Sequence, residues 1–191
     1  MDASVDVEHY VQAARQTSLK PWLDRLGIEL SSEQIEAAFR EAWAATVAEA
    51  ARWPPPAWTS AVAWLQWLPW LPAIAHVGAG GGPLAWLRTD MPGTGASPGA
   101  LRVPEALVDA GPSPESAWLE QWRQRLPETG SWSEDLVALA EAHREAMANA
   151  ALPGPTLRLA FAEALKRRFR RYAGGPGALF AWLLLAGADG E

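Results

Sequence analysis

The residues able to do chemistry in this 191-residue chain fall into a few short stretches. Gly95-Ala96-Ser97-Pro98-Gly99 spells the G-x-S-x-G pattern of a serine nucleophile. That mechanism takes one oxyanion donor from the backbone N–H of the residue after the serine, and a proline at 98 has none to give. The surroundings are a Pro/Gly-rich loop, with neither the strand nor the helix that the motif needs. Hydrolase chemistry is therefore not expected. The run Gly78-Ala79-Gly80-Gly81-Gly82 has the composition of a phosphate cradle. Cradles follow a strand and open a helix, so that free N–H groups converge on the anion. Here the glycines follow a predicted helix, where glycine serves as a C-terminal cap, and no Lys-Ser/Thr pair comes after them.

Metal chemistry finds little to work with. The chain has no cysteine and three histidines, His9, His76 and His143, which excludes thiolate sites, disulfides and a thiol nucleophile. A carboxylate-bridged di-iron bundle wants Glu-x-x-His on two helices. No glutamate stands three residues before any of the histidines. Neither a metal nor another cofactor is expected. His143 lies mid-stripe in a predicted helix, among Leu136, Leu139, Ala146 and Met147, the usual position of a core histidine with one satisfied hydrogen bond. The competing reading makes His143 a ligand-facing residue in a pocket between helices.

Charge and aromaticity are the unusual features. Lys166-Arg167-Arg168-Phe169-Arg170-Arg171 places five cations in six residues near a predicted helix C-terminus, where they complement the macrodipole. Helical periodicity puts Lys166, Arg167, Arg170 and Arg171 opposite Phe161, Leu165 and Tyr172. The face is either solvated and paired with the acidic helices 31–53 or 132–150, or it meets an anionic partner. Residues 156–191 carry 6 basic and 3 acidic groups, although the whole chain is at −6. That overall acidity makes nucleic acid the least favoured partner.

Tryptophan supplies 12 residues against 2 tyrosines and 4 phenylalanines. Besides Trp53 at its start, five of them, Trp58, Trp64, Trp67, Trp70 and Trp86, lie in a stretch without charge that runs from Trp53 to Leu87. Trp64, Trp67 and Trp70 are spaced by three, and a straight α-helix would spread them around most of its circumference. Four uncovered indoles would expose roughly 600–1,000 Å², more than the 300–600 Å² of the largest patch on a typical monomer. Either the stretch 88–112 folds over them or another surface does. Tryptophan is enriched in interface hot spots and at membrane interfaces.

The elements that must position these residues are helical. Thirty-eight alanines and 23 leucines against 9 valines, 3 isoleucines and 7 threonines make a helix former's composition. Short helices are predicted near Asp6–Thr17 and between Pro21 and Gly27. A capping box, Ser31 with Gln34, opens a helix toward Trp53 whose stripe is Ile35, Phe39, Trp43 and Val47, and Pro54–Pro56 end it. Helices follow around Ala57–Leu68 and Pro72–Val77. Residues 88–112 read as an irregular or partly disordered excursion. Ser113-Pro114 starts a helix carrying Trp118, Leu119, Trp122 and Leu126. Ser131 and Glu134 form a second capping box for a helix to about Ala150, Thr156 caps one to Tyr172, and an apolar helix covers Pro176–Ala186. The fold class is all-α, an irregular bundle of six to eight helices in one domain over 1–191, with 54–112 as a charge-poor subregion.

A transmembrane span over Trp58–Val77 is rejected, because its prolines, polar residues and mid-segment tryptophans are costly in a bilayer. The acidic start lacks a signal peptide's basic and apolar pattern, so an Ala/Pro/Trp-rich cytoplasmic protein of bacterial type is expected. These features favour a non-catalytic interaction protein, a subunit, adaptor or regulator, binding a protein partner or a second copy through the Trp-rich segment and the basic helix. A peripheral membrane protein using the C-terminal basic and apolar helices is the second reading. A helical enzyme or small-molecule binder with a pocket near His143 is the third.

Overall fold

Ser31 and Gln34 form the reciprocal cap that their spacing predicts. The Ser31 N–H donates to Gln34 Oε1 at 2.8 Å and the Gln34 N–H to Ser31 Oγ at 3.3 Å, satisfying donors that a helix start leaves open. This cap opens helix α1, Ser32–Ala50. The computed structural model that carries these contacts describes residues 16, 31–82, 103–127, 130–148 and 154–189. The described residues form α-helices, one 3-10 segment and connecting turns, with no strand among them. After α1 come α2 (Pro56–Trp64), the 3-10 segment Leu65–Trp70, α3 (Leu71–Gly78), α4 (Glu105–Asp109), α5 (Pro114–Arg125), α6 (Gly130–Ala148), α7 (Gly154–Arg171) and α8 (Pro176–Asp189). The predicted helices before Gly27 and the Gly95–Gly99 motif lie outside the described residues, as does Trp86.

The chain divides into two units, Met1–Thr46 and Val47–Glu191. In the first, α1 carries its predicted stripe, with Trp43 buried and Ile35 and Phe39 half-buried. The second unit is an all-α bundle. Within it α2, α3, α4 and α6 all pack on α5, α7 and α8 form a hairpin, and α8 reaches α6 and the 3-10 segment.

The predicted helix over 57–68 is corrected by the structure. The α-helix stops at Trp64 and continues as six residues of 3-10 helix with Pro69 inside it. Proline removes an N–H and disfavours the α conformation just before it. A 3-10 helix has three residues per turn, so side chains at i and i+3 eclipse one another. Trp64, Trp67 and Trp70 therefore share one face, and all three are buried, as is Trp58 one turn and a half earlier. Trp58, Trp64, Trp67 and Trp70, expected as partner-binding residues on an uncovered surface, are covered within the fold. That expectation assumed α-helical geometry where the backbone is tighter.

Burying an indole is costly unless its N–H finds an acceptor, and Trp64 and Trp118 each supply a backbone carbonyl to the other. Trp64 Nε1 donates to the Trp118 carbonyl at 3.0 Å, and Trp118 Nε1 donates to the Trp64 carbonyl at 3.3 Å. The exchange ties the end of α2 to the middle of α5. The Arg125 guanidinium lies 4.0 Å over the Trp64 ring and holds its own place by donating to the Gln121 carbonyl at 2.6 Å. From Trp118 the aromatic core continues through Trp122, stacked at 5.5 Å, to Phe180 of α8, and from there to Trp58 and Trp132 at 6.0 Å each. Trp122 is fully buried, yet no acceptor reaches its Nε1 among the described residues.

Two helix starts depart from the predicted ones. α6 starts at Gly130 and α7 at Gly154, so Ser131 and Thr156 fall inside helices rather than at caps. Part of the predicted irregular stretch 88–112 is the short helix α4. It follows Pro104 and buries Leu107, with Val103 buried just before it; five helical residues are too few to show a period. The Gly78–Gly82 run is a helix terminator, as its position after a helix implies. The Gly80 N–H donates to the Val77 carbonyl and the Gly81 N–H to the His76 carbonyl, both at 2.9 Å, around Gly80 at φ +83°. That is a Schellman motif, and it engages N–H groups that a phosphate cradle would have to leave open.

Two stability outcomes follow from these contacts. Trp64→Phe and Trp118→Phe should each destabilise by about 1–3 kcal/mol, because a buried donor is lost and its acceptor stranded. Trp122→Phe, although that ring is the most deeply buried, should destabilise less than either, since it also removes an unsatisfied N–H; urea unfolding of the three variants gives the order. Gly78→Ala should also destabilise, by about 1–3 kcal/mol, against the roughly 1 kcal/mol gain usual for this change inside a helix. A methyl there would run into the backbone of Gly111.

Candidate functional site

The C-terminal hairpin of α7 and α8 carries the dense run of cations and, among the described residues, most of the exposed large apolar ones. Its inward side fixes it in place. Ala162, Ala164 and Leu165 of α7 and Ala178, Phe180, Ala181, Leu183 and Leu184 of α8 are buried. The link between the helices turns on Gly174 at φ +85°, a conformation that favours glycine. Pro176 then restarts the helix at a position where its missing N–H is harmless. Gly177 lies so close to the Trp132 ring that a Cβ there would stand 2.9 Å from it. Its lack of a side chain lets α8 approach α6.

The C-terminus of α7 is pinned to α6 by a phenol. Tyr172 Oη donates to Asp135 Oδ2 at 2.6 Å, and Arg171 Nη1 sits 3.7 Å from the same oxygen. Trp132 meets the Tyr172 ring edge-on at 6.4 Å. Burial first, and then the hydrogen bond and negative charge of Asp135, hold the Tyr172 phenol protonated above its usual range. About two turns further along α6, His143 stacks flat on Phe161 of α7, with centroids 4.0 Å apart and planes within 14°. His143 is thus half-buried in the α6–α7 seam, beside an aromatic ring.

The outward side of α7 carries the predicted cations. Lys166, Arg167, Arg170 and Arg171 are all exposed, opposite buried Leu165 and half-buried Phe161 and Tyr172, while Arg168 is half-buried. Lys166 Nζ pairs with Glu163 at 2.9 Å. That hydrogen bond, followed by the charges of Lys166, Arg167 and Arg170, keeps the Glu163 carboxyl below its usual range, so it stays ionised. Arg167 and Arg170 form no close ion pair among the described residues, although both charges act on Glu163 from along the helix. The expected pairing with the 132–150 helix is realised through Arg171 and Asp135.

Sequence reasoning missed the apolar residues among these charges. Leu159 is 69% exposed and Phe169 41%. Leu159, Glu163, Lys166 and Arg170 follow one another at i, i+4, i+7 and i+11, a single line along the helix; tracing the stripe back two turns from Lys166 would have found Leu159. On the partner helix Trp182 is 36% exposed, and its ring stands 6.1 Å from that of Trp53, itself 61% exposed. Trp53 follows the end of α1 and precedes three prolines, and its Nε1 donates back to Glu49 Oε1 at 3.4 Å. Every exposed large apolar residue among the described residues thus lies on the hairpin or against it.

A separate shallow cleft of about 150 Å³ lies between α5 and α6, lined by Ser116, Leu119, Glu120, Arg123 and Glu141. The Arg123–Glu141 ion pair at 3.1 Å spans it, and His143 is not part of its wall. Pockets that enclose small ligands run to roughly 300–1,000 Å³. Among the described residues no three His, Cys, Asp or Glu side chains come together as a metal site, and no helix is long and apolar enough to cross a membrane. No family model, no curated protein and no solved structure matches the chain.

The Tyr172 latch has a pH signature. The phenol's folded pKa is raised, so its contribution is complete below the unfolded value of 10.0 and fades as pH rises beyond it. Tyr172→Phe should lower stability at pH 7 by about 1 kcal/mol. Denaturant unfolding from pH 7 to 11 should show the gap between wild type and variant narrowing above pH 10.

Proposed function

We propose that this protein is a helical interaction module that docks on an anionic partner through the outward face of the α7–α8 hairpin. The observation that carries the reading is the α7 surface itself, where Arg167 and Arg170 stand exposed and form no close ion pair among the described residues. Around them Lys166 and Arg171 add charge, and Leu159 and Phe169 add apolar surface. Exposed ion pairs contribute little to stability, so folding alone gives weak reason to collect so many cations on one solvent face. The buried tryptophans serve this reading indirectly. They build the rigid platform on which the hairpin sits, while the contact itself falls to residues further along the chain.

A chain with net charge −6 should be repelled by a polyanion unless its charges are segregated. Wild-type protein should therefore be retained on heparin–agarose at 50 mM salt and elute as salt rises. The Arg167→Gln/Arg170→Gln variant should flow through with an unchanged melting temperature. Wild-type protein in the flow-through would sink the proposal.

A further inference from the structure

Resting on that reading, we infer that the anionic partner is a lipid bilayer, on whose surface the hairpin lies with Leu159, Phe169 and the Trp182–Trp53 pair entering the headgroup region. The arrangement of the exposed apolar residues selects this partner over an acidic protein. Leu159 and Phe169 stand ten residues apart, about 15 Å along the helix axis, with Lys166, Arg167 and Arg170 between or beside them. Protein interfaces concentrate their energy in a packed central cluster that seats in a complementary pocket. Here Leu159 and Phe169 stand apart, interleaved with cations, and only Trp182 and Trp53 meet one another. A fluid interface accepts scattered anchors without shape complementarity, and its anionic headgroups meet a basic face at any position.

The side-chain types fit the same setting. Lysine and arginine can lay their methylene stems along an apolar layer while keeping their charges among headgroups. Tryptophan, half-exposed in α8 at Trp182 and more so at Trp53, is the residue most suited to the boundary between hydrocarbon and water. The 14 residues of α8 are too few to span a bilayer, which needs about 20, so the hairpin lies on the surface. The acidity of the rest of the chain does not prevent contact. At physiological salt the Debye length is about 8 Å, so the face that touches the headgroups decides the electrostatics. Glu163 is the one anion on the cationic line, and it remains charged there.

Sedimentation with vesicles of phosphatidylcholine containing 30% phosphatidylglycerol tests the assignment, with pure phosphatidylcholine vesicles as the neutral arm and soluble poly-glutamate as competitor. The wild-type chain should bind the anionic vesicles and not the neutral ones, and raising salt from 0.1 to 1 M should release it as the Debye length falls from about 10 to about 3 Å. Arg167→Gln/Arg170→Gln should weaken binding about 30-fold and Glu163→Gln should strengthen it about fivefold, at roughly one such step per cation near the surface. Phe169→Ser should weaken vesicle binding while leaving heparin retention unchanged. These positions are exposed, so circular dichroism and melting temperature should match wild type in every variant. Retention on heparin without binding to anionic vesicles would overturn the bilayer assignment and leave the docking face standing. Vesicle binding that Phe169→Ser does not alter, and that poly-glutamate displaces fully, would reassign the face to an acidic polypeptide. Failure on both heparin and vesicles would overturn the docking face as well.

Discussion

Two indole N–H groups, each donated to the backbone carbonyl of the other's residue, set the geometry on which the second unit depends. Trp64 and Trp118 lie 54 residues apart in sequence, and their exchange fixes α2 against α5 with two hydrogen bonds that no one-residue slip could preserve. A tryptophan core faces a difficulty that a leucine core does not. Each ring brings a large apolar area together with one polar atom, and a buried donor without an acceptor is destabilising. At these two rings the difficulty is turned into specificity, because the acceptors are backbone atoms of the very residues being buried. Trp122, one helical turn along α5, shows the other outcome, its N–H buried without an acceptor among the described residues.

The same constraint explains why the 3-10 segment matters. Three tryptophans at three-residue spacing fit a helix of three residues per turn and misfit one of 3.6. Pro69 excludes an ordinary α-helical hydrogen bond at its own position. Composition, spacing and backbone geometry thus agree in a stretch that looks disordered in its logic when only α-helices are considered. With one face of the 3-10 segment carrying the indoles inward, the surface of the unit is left to residues elsewhere, above all those of the hairpin.

Much of the fold was legible because it rests on local signals. The Ser31–Gln34 cap, Pro114 at the start of α5, the glycine terminators after α3 and α7, and the inward and outward faces of α7 all follow from residue type and short-range spacing. What escaped was either too short or not local. α4 has five residues and no period. The starts of α6 and α7 at Gly130 and Gly154 lie ahead of the residues with cap chemistry. The fate of the tryptophans turned on a helix type that hydrophobic periodicity does not reveal. Of the candidate site, the cations could be read from sequence alone. Leu159 was readable from its place on the cationic line, whereas Trp53 could not be recognised as exposed until the neighbouring helices showed which faces were already taken. His143 was foreseen as a packing residue or a ligand-facing one, and its ring lies flat on Phe161 in the α6–α7 seam.

The fixed tilt between neighbouring rings has an optical consequence. Trp118 and Trp122 are stacked at 24°, Trp132 and Phe180 at 20°, and Trp58 and Trp132 lie 5.0 Å apart at 33°. Chromophores held this close in a chiral arrangement couple their electronic transitions, and the coupled bands overlap the ultraviolet region in which helical backbone absorbs. The dichroism spectrum of this chain is therefore a sum of helix and indole exciton signals. The second part vanishes as soon as the rings lose registry, even while the helices remain wound.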